Sequence, residues 1–543
     1  MTIKEYETSM GIVKKYDSQV TVSRDGSGDF NCDGTDDNIQ IQQAIDSIAA
    51  VGGIVFIRKG VYDISASITL PSNIHLTGEG NSSQLVLADT TNEDIVENAN
   101  QLVLTDENIE VSNLYFDGNR DNQTVVRHCV GLHGANYSKV HNNYMKDAFG
   151  DGVYMAGCTN IKVYNNTITN SKRQGISCGE AVATYCSYIQ IYDNLIFGSD
   201  LIGIDIEPAS FTTIRDNYIV NGGTGSGSSI KPAITLRGTN SDTKADFERN
   251  VVMNNYIYNW YEGIIIRNQK NFKVSNNYVN KMTTNHGIYM LNNKDGEIID
   301  NTFIYNNKSG IEIQSDNKNL VINNNVCKYN MLYGISANGS YLDVVNNNVL
   351  NNNVIQSTNA GIAARGTYLK IENNSIYDNQ LTFITDLSAD ITAGTAILTV
   401  VDSSIFYEGQ HITLSDDLLN ETADVLSIDS NTQITLSANV ANSYTTANNA
   451  LITGITTQHY GIRFFSSTGE VLMEGNYIFD NVSSNIKDIG FATLQQSYHG
   501  VEEGAASPSS TPAKVGDIFI DSANGNVYIS KGTASSADWV QVN

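Results

Sequence analysis

The chain has 543 residues, with 32 Lys+Arg against 58 Asp+Glu and a formal net charge of −26. That balance opposes nucleic acid and anionic membranes as partners, and a polyanionic substrate would need a local basic patch. Its six cysteines include no Cys-x-x-Cys pair, which argues against a thiolate metal site, and no apolar run reaches membrane-spanning length.

Residues 1–24 read as a polar, alternating lead-in. Met1-Thr2-Ile3-Lys4-Glu5-Tyr6 has no apolar signal core, so the expected location is a virion, or the outside of a cell after lysis. An acidic turn from Asp25 to Asp37 leads into Ile39, Ile41, Ala44, Ile45 and Ile48, spaced as one face of a helix. Thr35 to Asp37 supply N-capping side chains, and Gly52-Gly53 ends the helix. Such a helix would plug the open end of a solenoid. Asp29, Asn31 and Asp33, followed by Gly34, also fit the first half of a calcium loop, which makes Ca2+ a candidate cofactor. The twelfth position is Gln40 instead of the bidentate Glu, and helix capping explains the same residues.

From Lys139 to Asn379 one phrase repeats. Gly-Ile or Gly-Val begins at Gly152, Gly175, Gly203, Gly263, Gly287, Gly310, Gly334 and Gly361, at recurring intervals of 23 and 24 residues. Asn-Asn or Asp-Asn pairs keep the same beat, from Asn142-Asn143 to Asn373-Asn374. The runs between them alternate and are β-branched, as in Ile161-Lys162-Val163-Tyr164. A fixed period with strand-length runs means stacked coils. The predicted fold is all-β, a right-handed parallel β-helix over 25–380 and 456–500. Residues 381–455 lose the beat and read as an inserted β module, and 501–543 as a linker with a small C-terminal β module.

Aligning coils on the glycine gives an outward column of His133, Tyr154, Ser177, Asp205, Thr235, Ile265, Tyr289, Glu312, Ser336 and Ala363. Two residues on lies a second column with Glu207, Arg237 and Arg267. Neighbours in a column are about 4.8 Å apart. Asp205, Glu207, Tyr154, His133 and Asp151 are therefore the candidate catalytic residues. Arg173, Arg237, Arg267, Tyr289 and Arg120 are the candidate substrate-binding residues. Acids, bases and cations gathered within one sugar-binding length suit two chemistries. One is proton abstraction at C5 of a uronate, leading to elimination or epimerisation. The other is inverting hydrolysis by Asp205 and Glu207. A non-catalytic glycan-binding fibre would use the same stripe for retention alone.

Three stretches carry resemblances. Asp33-Gly34-Thr35-Asp36-Asp37 with its helix resembles the entry to the pectate-lyase-like β-helix superfamily. Asp117-Gly118-Asn119-Arg120-Asp121-Asn122 resembles a segment of the catalytic module of mannuronan C5-epimerases, which act on alginate. That family's Tyr-Gly-Phe-Asp-Pro-His sequence has Asp151-Gly152-Val153-Tyr154-Met155 as its nearest counterpart here, and its lysine position falls near Val126, beside Arg127. The tail, with strands at Gly516–Asp521, Asn526–Ser530 and Trp539–Val542, resembles C-terminal modules of phage tailspikes, which implies a homotrimer. Together these imply an enzyme on an acidic polysaccharide, a uronan or bacterial capsule, of the tailspike depolymerase kind.

Overall fold

The structure is a computed structural model. It describes residues 18–542, less 102, 104, 182–183, 227–229, 239–246, 353–359, 379–381, 404–405, 407–410, 456–459, 466–467, 480, 482–483, 489–492, 497–500, 505 and 513–516. Most of the lead-in lies outside the described residues; Gln19–Ser23 is a strand.

Three long parallel sheets of 19, 14 and 14 strands wind around one core, so the chain is a β-helix. Each coil contributes one inward residue to a continuous column. Val130, Val153, Ile176, Ile204, Ile234, Ile264, Ile288 and Ile311 stand in register and are fully buried. Burying each such side chain is worth about 1.5–3 kcal/mol, which makes the column the main source of cohesion. The repeated glycine is needed for close approach. A Cβ on Gly263 would lie 2.0 Å from the carbonyl oxygen of Gly287 on the next coil.

The Asn pairs divide two tasks. The first member turns the chain through the left-handed region, as at Asn142 (φ 56°), Asp193 (φ 55°) and Asp216 (φ 57°), where Asn and Asp are tolerated best. The second points inward and forms a ladder. Asn143, Asn166, Asn194, Asn217, Asn255 and Asn277 each donate from Nδ2 to the next Oδ1 at 2.9–3.1 Å, and the line continues through Asn374 to Asn476. Every Oδ1 also accepts a backbone N–H of the preceding coil, as Asn217 does from Asn194. Buried amides are thus satisfied entirely within the stack.

The helix Asn38–Ile48 closes the N-terminal end and buries Ile41, Ala44, Ile45 and Ile48. Its predicted side-chain cap is absent. Asp37 accepts Gly34 N–H at 2.8 Å and Asp63 N–H at 3.0 Å, so its carboxylate ties the turn to the strand Gly60–Ile64 instead. Strands from Thr382–Asp386 to Leu451–Ile455 form a six-stranded antiparallel sheet with its own core around Leu398, Leu414, Tyr444 and Ile452. Its longest strand, Asn420–Ser430, was not expected from the sequence. Val501–Gly504 pairs in parallel with Ile518–Asp521, so the stretch assigned to the linker and C-terminal module opens with a strand of the C-terminal sheet. The six cysteines are free and buried, and the Cys158 N–H donates to Cys186 Sγ at 3.4 Å.

Candidate functional site

One 14-stranded sheet carries the candidate residues on its outer face. Register places Tyr154, Ser177, Asp205 and Thr235 in one column. His133 is not in it. Gly131 pairs with Tyr154, and His133 pairs with Ala156, one outward position later. The sequence alignment failed because Gly131 imitates the repeat glycine, whereas Cys129 fills that slot by donating its N–H to Asp151 O. Arg237 and Arg267 are in register in the second column, which Glu207 enters one coil earlier.

Asp205 is buried, 6% exposed, whereas 43% of the Glu207 side chain is exposed. Arg237 Nη2 reaches Asp205 at 2.9 and 3.1 Å and Glu207 at 2.7 Å. The two carboxyl oxygens bound to that nitrogen, at 2.9 and 2.7 Å, are at most about 5.6 Å apart. A guanidinium nitrogen fills the place where an inverting enzyme holds its water, so the structure speaks against inversion by Asp205 and Glu207. Burial pushes both carboxyls above their usual range, and Arg237 opposes it. Gln174 Nε2 also donates to Asp205, at 3.3 Å. Gln174 Oε1, Thr235 Oγ1 and Arg237 Nε are buried beside this group with no partner among the described residues.

Two coils earlier, Asp151 is buried and accepts from Ser177 Oγ at 2.6 Å and Gln174 N–H at 3.0 Å. Burial raises its carboxyl, and Arg173 nearby pulls it down. The backbone N–H of Asp151 donates to His128 Nδ1 at 3.0 Å. That nitrogen therefore carries no proton, and its 3.4 Å approach to Asp151 Oδ2 is not an ion pair. Burial lowers His128 to about 4, so the ring is neutral with its hydrogen on Nε2. Tyr154 stacks on His128 with ring centroids 4.6 Å apart and meets His133 at 5.3 Å. His133 is likewise lowered by burial.

Among the described residues, Arg173 and Arg267 form no ion pair. Arg267 borders a groove lined by Asn268, Leu291, Asn292, Asp316, Lys318 and Ser340. Of the other two predicted binding residues, Arg120 lies elsewhere and Tyr289 farther along the same column. Arg120 donates to Asn170 O at 2.7 Å and pairs with Asp200 at 3.0 Å, so its charge is spent on holding successive turns. Tyr289 stands three coils beyond Asp205 in the same column, beside Arg267 and Glu312. Asp29 accepts Thr21 N–H, Asn31 accepts Ser23 Oγ–H, and Asp33 accepts Thr35 N–H. Among the described residues no three His, Cys, Asp or Glu side chains converge on a metal position, and no helix is long and apolar enough to cross a membrane.

Sequence reasoning missed His128, Gln174, Glu262, His286 and Glu312. Glu312 was in the aligned column but was passed over. The others, apart from His128, share a signal with Asp151: each immediately precedes a repeat glycine. At that corner the side chain turns onto the outer face, which strict alternation does not reveal.

Residues 27–264 match the family model for rhamnogalacturonase A/epimerase, pectate lyase-like. Residues 231–381 match the family model for a right handed beta helix region. A comparison with curated proteins finds no match. Among solved structures the chain is similar to two mannuronan C-5 epimerase A-modules of Azotobacter vinelandii. For AlgE6 the identity is 17%, over 64% of this chain and 93% of that one, with a TM-score of 0.44. For AlgE4 the figures are 14%, 88%, 100% and 0.46. The tailspike of E. coli bacteriophage HK620 gives 11% identity over 77% of this chain and 89% of that one, with a TM-score of 0.44.

Proposed function

We propose, for a chain whose residues 27–264 match a pectate-lyase-like family model, that the outer face of the sheet carrying Asp205 abstracts the C5 proton of a uronate in an acidic polysaccharide. The observation that carries this reading is the pairing of uncommitted cations with neutral acid–base groups. Arg173 and Arg267 are without an ion pair among the described residues, and they flank the run of Asp151, Tyr154, Asp205 and Arg237. In a protein of net charge −26, such arginines are the local patch a polyanion needs.

The chemistry follows from acidity. A C5 proton leaves only if the adjacent carboxylate is neutralised as charge develops on it. Arg173 supplies that neutralisation, and Arg267 holds a neighbouring carboxylate along the strand. His133, a neutral imidazole, takes the proton. The Tyr154 phenol, held against His128 and His133, donates toward the leaving glycosidic oxygen or back to C5 from the other face. Elimination follows if the C4–O bond breaks, and epimerisation if the proton returns. Asp205 and Glu207 fix Arg237 and do not act as a hydrolytic pair.

Alginate and polygalacturonate incubated in D2O test the reading. Deuterium should enter at C5, or unsaturated uronate ends should appear by absorbance. Tyr154→Phe should reduce the rate about 100-fold, the range for one general acid or base. Arg173→Ala should raise KM more than it lowers kcat. Products without C5 deuterium or unsaturation from either polymer would refute it.

A further inference from the structure

The bend between the 14-stranded sheet of Asp205 and the 19-stranded sheet carries a row of cations that the C5 chemistry does not use. Register puts Glu248, Lys270, Lys294 and Lys318 on four successive coils, with Ser340 on the next. Neighbours in such a row are about 4.8 Å apart, and like charges directly opposite one another repel. Lys270 has Glu248 beside it. Lys294 and Lys318 are exposed and form no ion pair among the described residues. By contrast, Lys139, Lys273 and Lys370 of the same 19-stranded sheet each meet a carboxylate, at 3.4, 3.2 and 2.8 Å. Asp295, next to Lys294 in sequence, is taken up by Asn319 Nδ2 at 2.9 Å.

Open space lies beside this row. It is the groove that Arg267 borders, about 620 Å³ in volume, with Lys318, Ser340, Leu291 and Asp316 in its lining. Arg267, Lys294 and Lys318 bring three positive charges to it, and Asp316 one negative charge, which leaves an excess of two. In a chain of net charge −26 such an excess does not arise from the general field, which turns anions away.

We propose that this groove is a binding site for a phosphate dianion, carried as a monoester on a sugar or present as the free ion. Two charges on one tetrahedral group answer the excess of two. A uronate, with a single charge on a flat group, answers half of it. Lys294 and Lys318 approach separate phosphate oxygens from adjacent coils, and Arg267 donates to a third. Ser340 Oγ, 3.0 Å from Thr367 Oγ1, accepts that hydroxyl's hydrogen and turns its own into the groove. A phosphate fills only a small part of the volume. The remainder has room for the sugar that bears it, with Leu291 as an apolar contact. The site stands on its own charges and its own open space, and shares only Arg267 with the C5 chemistry.

Binding is read by isothermal titration calorimetry on the full chain at low salt, where screening is weak. No turnover is needed, so this site and the C5 chemistry can fail separately. The probes are glucose 6-phosphate, inorganic phosphate, sulfate and galacturonate. Glucose 6-phosphate should bind at pH 8 and about tenfold more weakly at pH 5, because a phosphate monoester with its second pKa at about 6 has then lost most of its second charge. Sulfate, doubly charged at both pH values, should change little. Lys294→Ala and Lys318→Ala should each weaken binding of the ester at least tenfold. Lys273→Ala, on the same sheet but paired with Glu297, should not. All three lysines are on the surface, and the pH contrast on the wild-type chain needs no variant. Tighter binding of glucose 6-phosphate than of inorganic phosphate assigns the site to a phosphorylated glycan, and the reverse order assigns it to the free ion. The proposal is overturned if neither phosphate binds at millimolar concentration, or if galacturonate binds as tightly as the ester. It is also overturned if the ester binds equally at both pH values, or if folded Lys294→Ala and Lys318→Ala bind it undiminished.

Discussion

Asp205 and Glu262 are both buried carboxyls of one 14-stranded sheet, yet the protein treats them in opposite ways. Asp205 has a guanidinium at 2.9 Å. Glu262 has a single amide at 3.3 Å. Burial pushes both carboxyls up; at Asp205 it is opposed chiefly by the Arg237 guanidinium, and at Glu262 first by the Asn285 amide. A buried acid can be kept ionised as a structural strut or kept protonated, according to whether the next coil offers an arginine.

Removing the strut should have the largest effect. Arg237→Met leaves Asp205 buried without compensation and should cost about 3–5 kcal/mol at pH 8 by denaturant unfolding. Much of that loss should be recovered at pH 5, where Asp205 takes up a proton. An equal loss at both pH values would show that Asp205 does not depend on its partner. Glu262→Gln should act the other way. Its folded value of about 7 exceeds the ordinary 4.5, so the native state binds the extra proton and loses stability as pH rises through that interval. The Gln variant should therefore be more stable than the parent at pH 8, by up to about 3 kcal/mol, and equal to it at pH 4. The smallest effect concerns what the two regions share. His128→Phe and His286→Phe each orphan one backbone N–H, of Asp151 and of Ser309, and each should cost about 1–2 kcal/mol. Unequal losses would show that the two imidazoles are not the same device.

Much of this could be read from the sequence. The glycine and asparagine beat gave the coils because each marks a place where backbone passes backbone or an amide stacks on an amide, and few other residues fit there. The column holding Asp205 followed from period two. What failed did so for stated reasons. Gly131 has the look of a repeat glycine but sits two residues late, which displaced His133. Arg120 read as a ligand because its partner, Asp200, is 80 residues away and enters only once the turns are stacked. Asp37 was read as a cap for its own helix, but a strand 26 residues on claims its carboxylate. Glu262 and His286 were passed over because residues at a corner escape the in–out alternation of a flat strand.

The asparagine ladder has a consequence for how such a chain can change length. Each Oδ1 serves two donors from the coil before it, and each Nδ2 bonds into the coil after it, so a deletion of a few residues would tear the line in two places. Losing or gaining one whole turn reseals it with nothing left over. Insertions and deletions in relatives should therefore come in full turns, or as excursions that leave and rejoin at the same rung. The six-stranded module is such an excursion: Asn374 on one side of it bonds directly to Asn476 on the other.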